Sequence, residues 1–250
     1  MTREGQYIYA IIETDRDVDF GPMGIGGGRN EVCTVRHGNV GAVISASPLT
    51  EYPVTRSNTM AHQKVMEEVM KRYPMLPVRF GTVAEGKDMI REKLLKGRQE
   101  ELKKVLNYMR DKIELGLKVM WKDMDPVFQE IVDSNADIRR MRDRLMNRRG
   151  GVQSEHVRLG AMVKEAFEAR KAREEEAILN GLDGLWVERK LNAPLGDRMI
   201  ANAAFLVERD NEAVFDRQVE KLSAQYDGRM VFRYIGPVPP CNFIEIIVTW

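Results

Sequence analysis

The stretch EVCTVRHGNVGAVISAS, residues 31–47, places two short runs of mostly apolar and β-branched residues on either side of Gly38-Asn39. Glycine and asparagine tolerate the positive φ that a tight turn between two strands requires, so the stretch predicts a β-hairpin. The run QYIYAII, residues 6–12, is bounded by charged residues and predicts a buried first strand. The chain therefore begins with a group of strands.

Helices are predicted next. Apolar residues at helical spacing indicate one helix over residues 58–73, with an N-cap among the polar residues 57–59, and a long amphipathic helix over 85–109. The segment between them, MLPVRFGTV at residues 75–83, is expected to be extended, because the residue before a proline is steered away from the α region. The run IELGLKVMW, residues 113–121, predicts the strand that closes the first half.

The middle of the chain predicts a helical hairpin. An acceptor followed by a proline opens a helix at Asp125-Pro126, and the helical pattern then continues to about Met146. The glycine pair at 150–151 interrupts the pattern, and Ser154 is a candidate start for a second helix.

Strands and helices alternate again towards the C-terminus. The pattern predicts a strand over 199–208, a helix capped by Asp210, and strands over 229–236 and 243–250. Together with the strand at 113–121, this succession approximates the split βαβ of a ferredoxin-like domain. We therefore expect an α+β fold rather than a doubly wound sheet.

The length of 250 residues predicts two domains. The first is expected over residues 1–112, as an N-terminal α+β domain in which a mixed sheet packs with helices, with a ferredoxin-like sheet as a second option. The second is expected over 113–250, as a ferredoxin-like domain with a helical insertion at about 126–182.

The composition narrows the class of protein. The chain has 39 Lys and Arg against 38 Asp and Glu, a net charge of +1, which argues against a nucleic-acid binder that works through overall charge. Cys33 and Cys241 are far apart and indicate neither a disulfide framework nor a zinc site, which fits a reducing cytoplasm. No secretion signal is recognised, and no apolar run approaches the roughly 20 residues of a membrane span.

The glycine-rich stretch GPMGIGGGR, residues 21–29, raises the question of a phosphate-binding loop. A dinucleotide fingerprint and a P-loop each need a set glycine spacing that passes from a strand into a helix N-terminus. Arg29 stands where the last glycine of the fingerprint would be, no Lys-Ser or Lys-Thr follows, and the next predicted element is a strand. We interpret the stretch as a mobile connection between strands.

No catalytic, cofactor-binding or metal-binding constellation is recognised. His37, His62 and His156 have no partners at ligand spacing. His62 falls in the first turn of a predicted helix, where capping or exposure to solvent is the expected role. We therefore expect no enzymatic activity, no cofactor and no metal. An enzyme or small-molecule-binding protein built on the ferredoxin-like half stays open as an alternative, and a deep polar pocket would be its mark.

The basic stretch RRMRDRLMNRR, residues 139–149, could bind phosphate or an acidic partner. Ile138, Met141 and Leu145 form an apolar stripe while the arginines spread over the remaining faces, as on an ordinary solvated helix. A nucleic-acid binder acting through Arg139–Arg149 is therefore the weaker alternative, and no aromatic RNA-binding strand motif supports it.

Two further stretches favour a structural or partner-binding role. LPVRFGTV, residues 76–83, places an arginine among strand residues, and GPVPPCNF, residues 236–243, has three prolines before the last predicted strand. Prolines fix φ and remove backbone donors, so the second stretch predicts a rigid connector or a protected strand edge. The candidate site residues are Arg79, Phe80, Gly81, Pro237, Pro239, Pro240 and Phe243.

The chain resembles the gas vesicle protein L / gas vesicle protein F family nearly from end to end. The resemblance is carried by YIYAII at the start, LPVRFGTV, ELGLKVMW at the midpoint, and NAAFLVER leading to GPVPPCNF. The last motif in the family is closer to G-P-W-P-P-Y-x-F, so Val238 and Cys241 replace two aromatic residues here. A partner contact made by those rings would be altered in this chain.

The resemblance implies a non-enzymatic accessory protein of gas vesicle formation, in the cytoplasm and on the gas vesicle. It implies binding to the major gas vesicle shell protein, and to other accessory proteins as further partners, either in nucleation and assembly or as a minor vesicle component. Nucleic acid, a lipid membrane and a small-molecule substrate are not expected partners. Unassembled shell subunits would expose apolar patches that aggregate unless covered, and the last strand predicted here, at 243–250, could offer them an open sheet edge.

Overall fold

A computed structural model describes residues 3–27, 30–147 and 153–250 and has a mixed α+β fold. The chain divides into two compact units. Unit 1 consists of Met1–Leu115, Leu206–Asp210 and Gly236–Trp250, and unit 2 of Gly116–Phe205 and Asn211–Ile235. The expected division into residues 1–112 and 113–250 differs from this one chiefly at the C-terminal end, because residues 236–250 make their contacts within unit 1.

The sheet of unit 1 is antiparallel. Its strands in the described residues are β1 (Glu4–Glu13), β2 (Asp19–Pro22), β3 (Glu31–His37), β4 (Val40–Pro48), β5 (Met75–Pro77) and β6 (Val83–Ala84). The strand order is β2-β3-β4-β1-β5, and β6 also pairs with β1. The predicted hairpin is confirmed: His37 pairs with Val40 across a turn in which Gly38 has a φ of +59°.

In the part of the chain that the structure describes, the four strands that open unit 1 follow one another without a helix between them. A ferredoxin-like order would need a helix after its first strand. Unit 1 therefore does not have the ferredoxin-like order that was the second option for the first half. It does have the expected sheet packed with helices.

The first helix, α1 (Arg56–Met70), matches the predicted helix in position but begins earlier. Its N-cap is Thr55, whose hydroxyl accepts the backbone N–H of Asn58 at 3.2 Å, so the cap lies outside the predicted residues 57–59. Pro74 follows the last turn and precedes β5, as expected for a residue that cannot continue a helix.

The single long helix predicted over 85–109 is wrong. The segment is α2 (Lys87–Met89), a π-helical stretch (Ile90–Lys96) and α3 (Gln99–Met109), with the break at Gly97. A Cβ on Gly97 would lie 2.6 Å from the carbonyl oxygen of Lys93, so the wide π turn closes only because the residue has no side chain. Arg98 leaves the helical region, with a φ of −121°.

Core residues lie on both faces of the unit 1 sheet. Tyr7 packs with the buried side of α1, and Ile8 and Ile11 pack with α3 and the π-helical stretch. A register shift between Ile8 and Ala10 inserts one extra residue into β1, which explains why Ile8 and Ile11, three residues apart, share a face.

A second sheet contains β7 (Lys112–Trp121), β8 (Glu188–Leu191), β9 (Met199–Glu208) and β10 (Met230–Val238), in the order β10-β7-β9-β8. It is antiparallel. The strands predicted at 113–121, 199–208 and 229–236 are confirmed as β7, β9 and β10. Strand β8 carries no apolar alternation and was not predicted: its four residues read ERKL, and none of them is buried.

The predicted helical hairpin consists of α4 (Asp125–Ser134), α5 (Ala136–Asn147) and α6 (Gln153–Asn180). The first helix, predicted as continuous, is divided at Asn135, whose backbone is extended with a φ of −111° and a ψ of 105°. Its side-chain oxygen accepts the backbone N–H groups of Asp137 and Ile138 at 3.1 and 3.2 Å and so caps α5. The predicted break at Gly150-Gly151 lies outside the described residues.

The helix after β9 is α7 (Glu212–Gln225), preceded by a 3-10 turn over Arg209–Asn211. Asp210 therefore lies in that turn and is not the N-cap, a position taken by Asn211. Phe215, Val219 and Leu222 follow one another at helical spacing and are buried on one side of this helix.

The last strand predicted over residues 243–250 is wrong. After β10 the chain makes only one isolated bridge in the described residues, a parallel contact between Val78 and Ile246. The apolar run still alternates, since Ile246 is buried while Glu245 and Ile247 are exposed. The alternation indicates an extended segment with one side buried, but a strand also requires a partner of comparable length. No described helix is both long enough and apolar enough to cross a membrane.

Candidate functional site

The motif at 76–83 forms a tight turn at the end of β5. Thr82 closes the turn, because its backbone N–H donates to the carbonyl oxygen of Arg79 at 3.2 Å and its hydroxyl donates to the same oxygen at 2.7 Å. Gly81 has a φ of +83°, a conformation that favours glycine. Its N–H donates to the hydroxyl of Tyr7 at 2.9 Å. We call residues 79–82 the Arg79 turn.

The last ten residues, 241–250, run alongside this turn, and we call them the C-terminal arm. The backbone N–H of Ile246 donates to the carbonyl oxygen of Pro77 at 2.7 Å, and the N–H of Arg79 donates to the carbonyl oxygen of Ile246 at 3.1 Å. The two motifs, distant in sequence, are therefore joined by backbone hydrogen bonds on either side of Val78 within unit 1.

Arg79 also makes an ion pair with the arm. Its Nε lies 3.2 Å from Oε2 of Glu245, with the two side chains 53% and 46% exposed. An ion pair this exposed contributes at most about 1 kcal/mol, because water screens both charges. The arginine predicted as a site residue thus orients the arm, and most of the attachment comes from the backbone.

The proline segment turns the chain from β10 into the arm. Gly236 precedes a cis peptide bond to Pro237 and has a φ of +150°. A Cβ at Gly236 would lie 3.2 Å from the carbonyl oxygen of Glu114 and 2.6 Å from Cδ2 of Leu115, and together with its φ this crowding favours glycine. Pro239 and Pro240 are buried, and the carbonyl oxygen of Pro240 accepts the N–H groups of Phe243 and Ile244, each at 3.1 Å. Residues 236–238 are the end of β10, an edge strand of its sheet, and residues 239–240 connect that strand to the arm, so the segment contains both a strand edge and a connector.

A buried carboxylate that the sequence analysis missed holds the start of the arm. Glu114 on β7 is 3% exposed, and its two oxygens accept the backbone N–H of Asn242 at 2.9 Å and the side-chain amide of Asn242 at 2.5 Å. The signal was present in the sequence, because Glu114 stands alone between apolar residues in IELGLKVMW. A charge in such a strand must have a partner when it is buried.

The two phenylalanines among the candidates serve different cores. Phe80 packs with the cluster that contains Tyr7, and Phe243 packs with the cluster that contains Ile8, on the other face of the sheet. Both are partly buried, whereas Arg79 and Pro237 are exposed. The candidate residues therefore do not form one exposed patch, and the outer side of the arm is the surface that they position.

The end of the arm exposes two large apolar side chains, next to the exposed Thr249, and has basic neighbours. Ile247 and Trp250 are 47% and 43% exposed. The guanidinium of Arg98 donates to the carbonyl oxygen of Ile247 at 2.9 Å, and the indole N–H of Trp250 donates to the carbonyl oxygen of Val83 at 3.1 Å. These side chains line a shallow cavity of about 260 Å³ together with Lys93. We call Ile247, Trp250, Lys93 and Arg98 the arm surface.

The described part of the glycine-rich stretch is anchored in the core of unit 1. Ile25 is fully buried, and its backbone N–H donates to the hydroxyl of Tyr9 at 2.7 Å. That hydroxyl also hydrogen-bonds Ser45 at 2.8 Å. The predicted connection between strands is confirmed, since it joins β2 to β3, and Ile25 is held in place within it, while Gly28 and Arg29 lie outside the described residues. As predicted, the next element is a strand, so no helix N-terminus is available to bind phosphate.

His62 is buried, contrary to the expectation of a capping or exposed residue. It is 5% exposed, its Nδ1 lies 3.0 Å from the hydroxyl of Tyr7, and its ring stacks on Tyr9. Burial lowers the pKa of His62 to about 4, because the charged imidazolium would lose its hydration. The neutral ring is therefore part of the aromatic core behind Phe80. No described cluster of His, Cys, Asp and Glu could hold a metal ion.

The sequence of this chain is similar to those of known gas vesicle proteins. The family described as "Gas vesicle synthesis protein GvpL/GvpF" matches residues 5–245. Gas vesicle protein F of Nostoc sp. strain PCC 7120 is 28% identical over 198 residues, covering 78% of this chain and 80% of that protein. Gas vesicle protein F of Streptomyces sp. strain CB03234 is 28% identical over 240 residues, covering 96% and 99%.

The fold is also similar to a solved structure. The crystal structure of the gas vesicle protein GvpF from Anabaena sp. PCC7120 superposes with a TM-score of 0.86 at 26% identity, covering 97% of this chain and 99% of that one. The family match spans nearly the whole chain, including the Arg79 turn, the proline segment and half of the C-terminal arm. The chain belongs to the GvpL/GvpF family of gas vesicle synthesis proteins.

Proposed function

We propose that this protein is a non-enzymatic accessory factor that binds the apolar gas vesicle shell subunit and assists its nucleation or assembly. Membership of the family of gas vesicle synthesis proteins supports the process. The observation that carries the binding role is the arm surface, where Ile247 and Trp250 present apolar side chains beside Lys93 and Arg98. The proposal places the protein in the cytoplasm and on the gas vesicle, with other accessory proteins as further partners.

The chemistry of a shell subunit explains why such a surface is useful. A subunit that must repel water on one side of the finished wall exposes that apolar side before assembly. Apolar contact with the arm surface would cover it while the flanking basic residues stay hydrated.

The arm also has a backbone edge that faces away from Pro77 and Arg79, and a strand added there would replace the guanidinium of Arg98 at the carbonyl oxygen of Ile247. Ile246 directs its N–H and carbonyl towards Pro77 and Arg79, so the neighbouring residues of an extended chain direct theirs to the opposite side. No described residue pairs with the N–H of Glu245 or Ile247. A strand of the shell subunit added there would use backbone hydrogen bonds for affinity and the exposed Ile247 for specificity.

The candidate residues of the two motifs act in this proposal as the frame of the arm. Arg79 and Gly81 shape the turn, Pro237, Pro239 and Pro240 set the course of the chain, and Phe80 and Phe243 fix it to the core. The contacts that support these roles are the two backbone hydrogen bonds around Val78 and the Arg79–Glu245 ion pair.

The experiment is capture of the protein by an affinity-tagged shell subunit in cells that produce both. The variant Ile247→Asp should reduce capture by about tenfold or more, since it places a charge where the apolar contact forms. Val54→Asp is the matched control, because Val54 is an exposed valine of the same unit, 82% exposed, and lies outside the arm. Circular dichroism verifies that both variants fold.

Two results would contradict the proposal. One is failure of the unaltered protein to be captured by the shell subunit. The other is normal vesicle formation, measured by flotation, in cells that lack the gene and every paralogue. Equal capture of the Ile247→Asp variant would reject the arm surface as the contact while leaving the accessory function in place.

We also propose that the second sheet and its helices form a ferredoxin-like domain. The support is the element sequence β7, helices, β8, β9, α7, β10 together with the sheet order β10-β7-β9-β8. A crystal structure of this chain with a different strand order would reject the assignment.

A further inference from the structure

One surface of unit 2 is not used by the proposed shell contact. It is a groove between α5 and α6 with a volume of about 410 Å³. The α5 side consists of Asp137, Arg140, Met141 and Arg144; Arg140 and Met141 lie three and four residues after Asp137, and Arg144 lies four and three residues after them, so the four lie on one face of the helix. The α6 side consists of Arg158 and Met162, one turn apart. We call these six residues the α5–α6 groove.

The walls of the groove are positively charged. Its three arginines are opposed by one acidic residue, Asp137, which forms an ion pair with Arg140. Arg144 and Arg158 are exposed, and neither has an ion pair or hydrogen bond with another residue of the ranges that the structure describes. Arg170 on the same α6 differs, because it pairs with Glu174.

The floor of the groove is apolar and adaptable. Met141 and Met162 are partly buried and face the same groove from the two helices. Methionine is unbranched and polarisable, and surfaces rich in methionine accommodate helices of varied shape. Apolar contact area is therefore present next to the unpaired charge.

We propose that the α5–α6 groove binds an acidic amphipathic α-helix of another protein. The methionine floor fits the apolar stripe of such a helix, and Arg144 and Arg158 fit carboxylates on its flanks, since guanidinium groups bind carboxylates with two parallel hydrogen bonds. Nucleic acid fits less well, because the groove has no aromatic side chain on which a base could stack. The proposed helix is distinct from the apolar shell subunit of the function proposed above.

The test uses synthetic peptides of about 18 residues, five helical turns, labelled for fluorescence anisotropy. The binding peptide has leucine at positions i, i+3, i+4 and i+7 with glutamate on both flanks. One control peptide has lysine in place of glutamate, and another has the same composition in scrambled order. The full-length protein is titrated against each peptide at low and at physiological salt, because the charged contacts are screened as salt rises.

The variant Arg144→Glu/Arg158→Glu reverses both unpaired charges. The glutamate peptide should bind the unaltered protein and bind this variant about tenfold or more weakly, and the lysine peptide should gain affinity for the variant. Arg217→Glu/Lys221→Glu is the matched control, because these exposed residues lie one turn apart on α7 and carry the same charge. This control variant should bind the glutamate peptide as tightly as the unaltered protein.

Three results would overturn the proposal. They are absence of glutamate-peptide binding, equal binding of the scrambled peptide, and equal binding by the double-reversal variant. A labelled oligonucleotide that binds more tightly than the peptide, and loses affinity in Arg144→Glu/Arg158→Glu, would assign the groove to nucleic acid instead. None of these readouts depends on the shell subunit, so failure here is distinguishable from failure of the proposed assembly function.

Discussion

The carboxylate of Glu114 binds both the backbone N–H and the side-chain amide of Asn242, although the two residues are 128 positions apart. This clamp lies at the start of the C-terminal arm, before Phe243 and Ile246 enter the core of unit 1. Because the carboxylate is buried, its hydrogen bonds are stronger than those of an exposed pair, and each oxygen left without a donor would be costly.

Replacement of this carboxylate by an amide should loosen the arm. The Glu114→Gln variant turns one acceptor into a donor facing Asn242, so the free energy of unfolding should fall by about 1.5–3 kcal/mol in chemical denaturation. Amide hydrogen exchange should accelerate at residues 242–248. The exposed Glu245→Gln serves as control and should cost less than about 1 kcal/mol. Unchanged exchange in the arm of Glu114→Gln would contradict the clamp.

The buried His62 should make stability depend on pH. Its pKa in the folded protein is about 4, below the ordinary 6.5, so between these values the unfolded chain binds the extra proton and stability falls as pH falls. Between about pH 7 and about pH 5 this residue should account for a loss of about 2 kcal/mol.

The check is the difference in unfolding free energy between the unaltered protein and a His62→Phe variant, measured across that pH range. The variant loses the bond to Tyr7 and is less stable near neutral pH, but its stability should decline less on acidification. Parallel pH profiles for the two proteins would show that His62 titrates normally.

The Arg79 turn should require glycine at position 81 because of the backbone conformation there, and not because space for a side chain is lacking. A Cβ at Gly81 would meet no atom within 4 Å, yet the φ of +83° disfavours any other residue, so Gly81→Ala should destabilise by about 1–2 kcal/mol. Gly86 also has open space and an extended φ of 179°, so Gly86→Ala should change stability by less than about 0.5 kcal/mol. Thermal unfolding of the pair measures the difference, and equal effects would refute a left-handed turn.

In unit 2, Glu174 connects β7 to α6. Its carboxylate accepts the indole N–H of Trp121 at 3.0 Å, and it lies within 3.1 Å of the guanidinium groups of Arg170 and Arg229. The Glu174→Ala variant should lose about 2–4 kcal/mol, because Trp121 and Arg229 lose this acceptor and Arg170 keeps only Glu130. Glu176→Ala, an exposed change on the same helix, should be nearly neutral.

Tryptophan fluorescence gives an independent readout of the same contact. The emission of the unfolded protein should be the same for both variants, whereas only Glu174→Ala should shift the emission of the folded protein. An unshifted spectrum in Glu174→Ala would contradict this contact, because it would mean that the indole N–H of Trp121 donates to a different acceptor in solution.

The elements that the sequence predicted well are those whose pattern is local. The β3–β4 hairpin follows from Gly38-Asn39 and its flanking strands, and the buried stripe of α7 follows from the spacing of Phe215, Val219 and Leu222. Two helices were predicted too long, and in each a single residue explains the break. Gly97 permits a π turn in the helix predicted over 85–109, and Asn135 caps a new helix within the one predicted from Asp125. Periodicity continues across such breaks because both helices bury the same side.

The candidate site was only partly predictable. The motif at 76–83 and the proline segment were both recognised, but nothing near Arg79 in sequence indicates that Ile246 pairs beside it. Glu114 and His62 were missed as buried polar residues for the same reason, since their partners Asn242 and Tyr7 are distant in sequence.

By itself the sequence determined the order and type of most elements, the α+β class and the resemblance to a gas vesicle family, because apolar period and turn residues act over a few positions. Only the tertiary structure decided that residues 243–250 form an arm of unit 1 instead of a strand, and that Arg144 and Arg158 border a groove with no partner among the described residues. The apolar period of a segment records that one side will be buried, but the surface that buries it is chosen by packing over long separations, which leaves no local pattern.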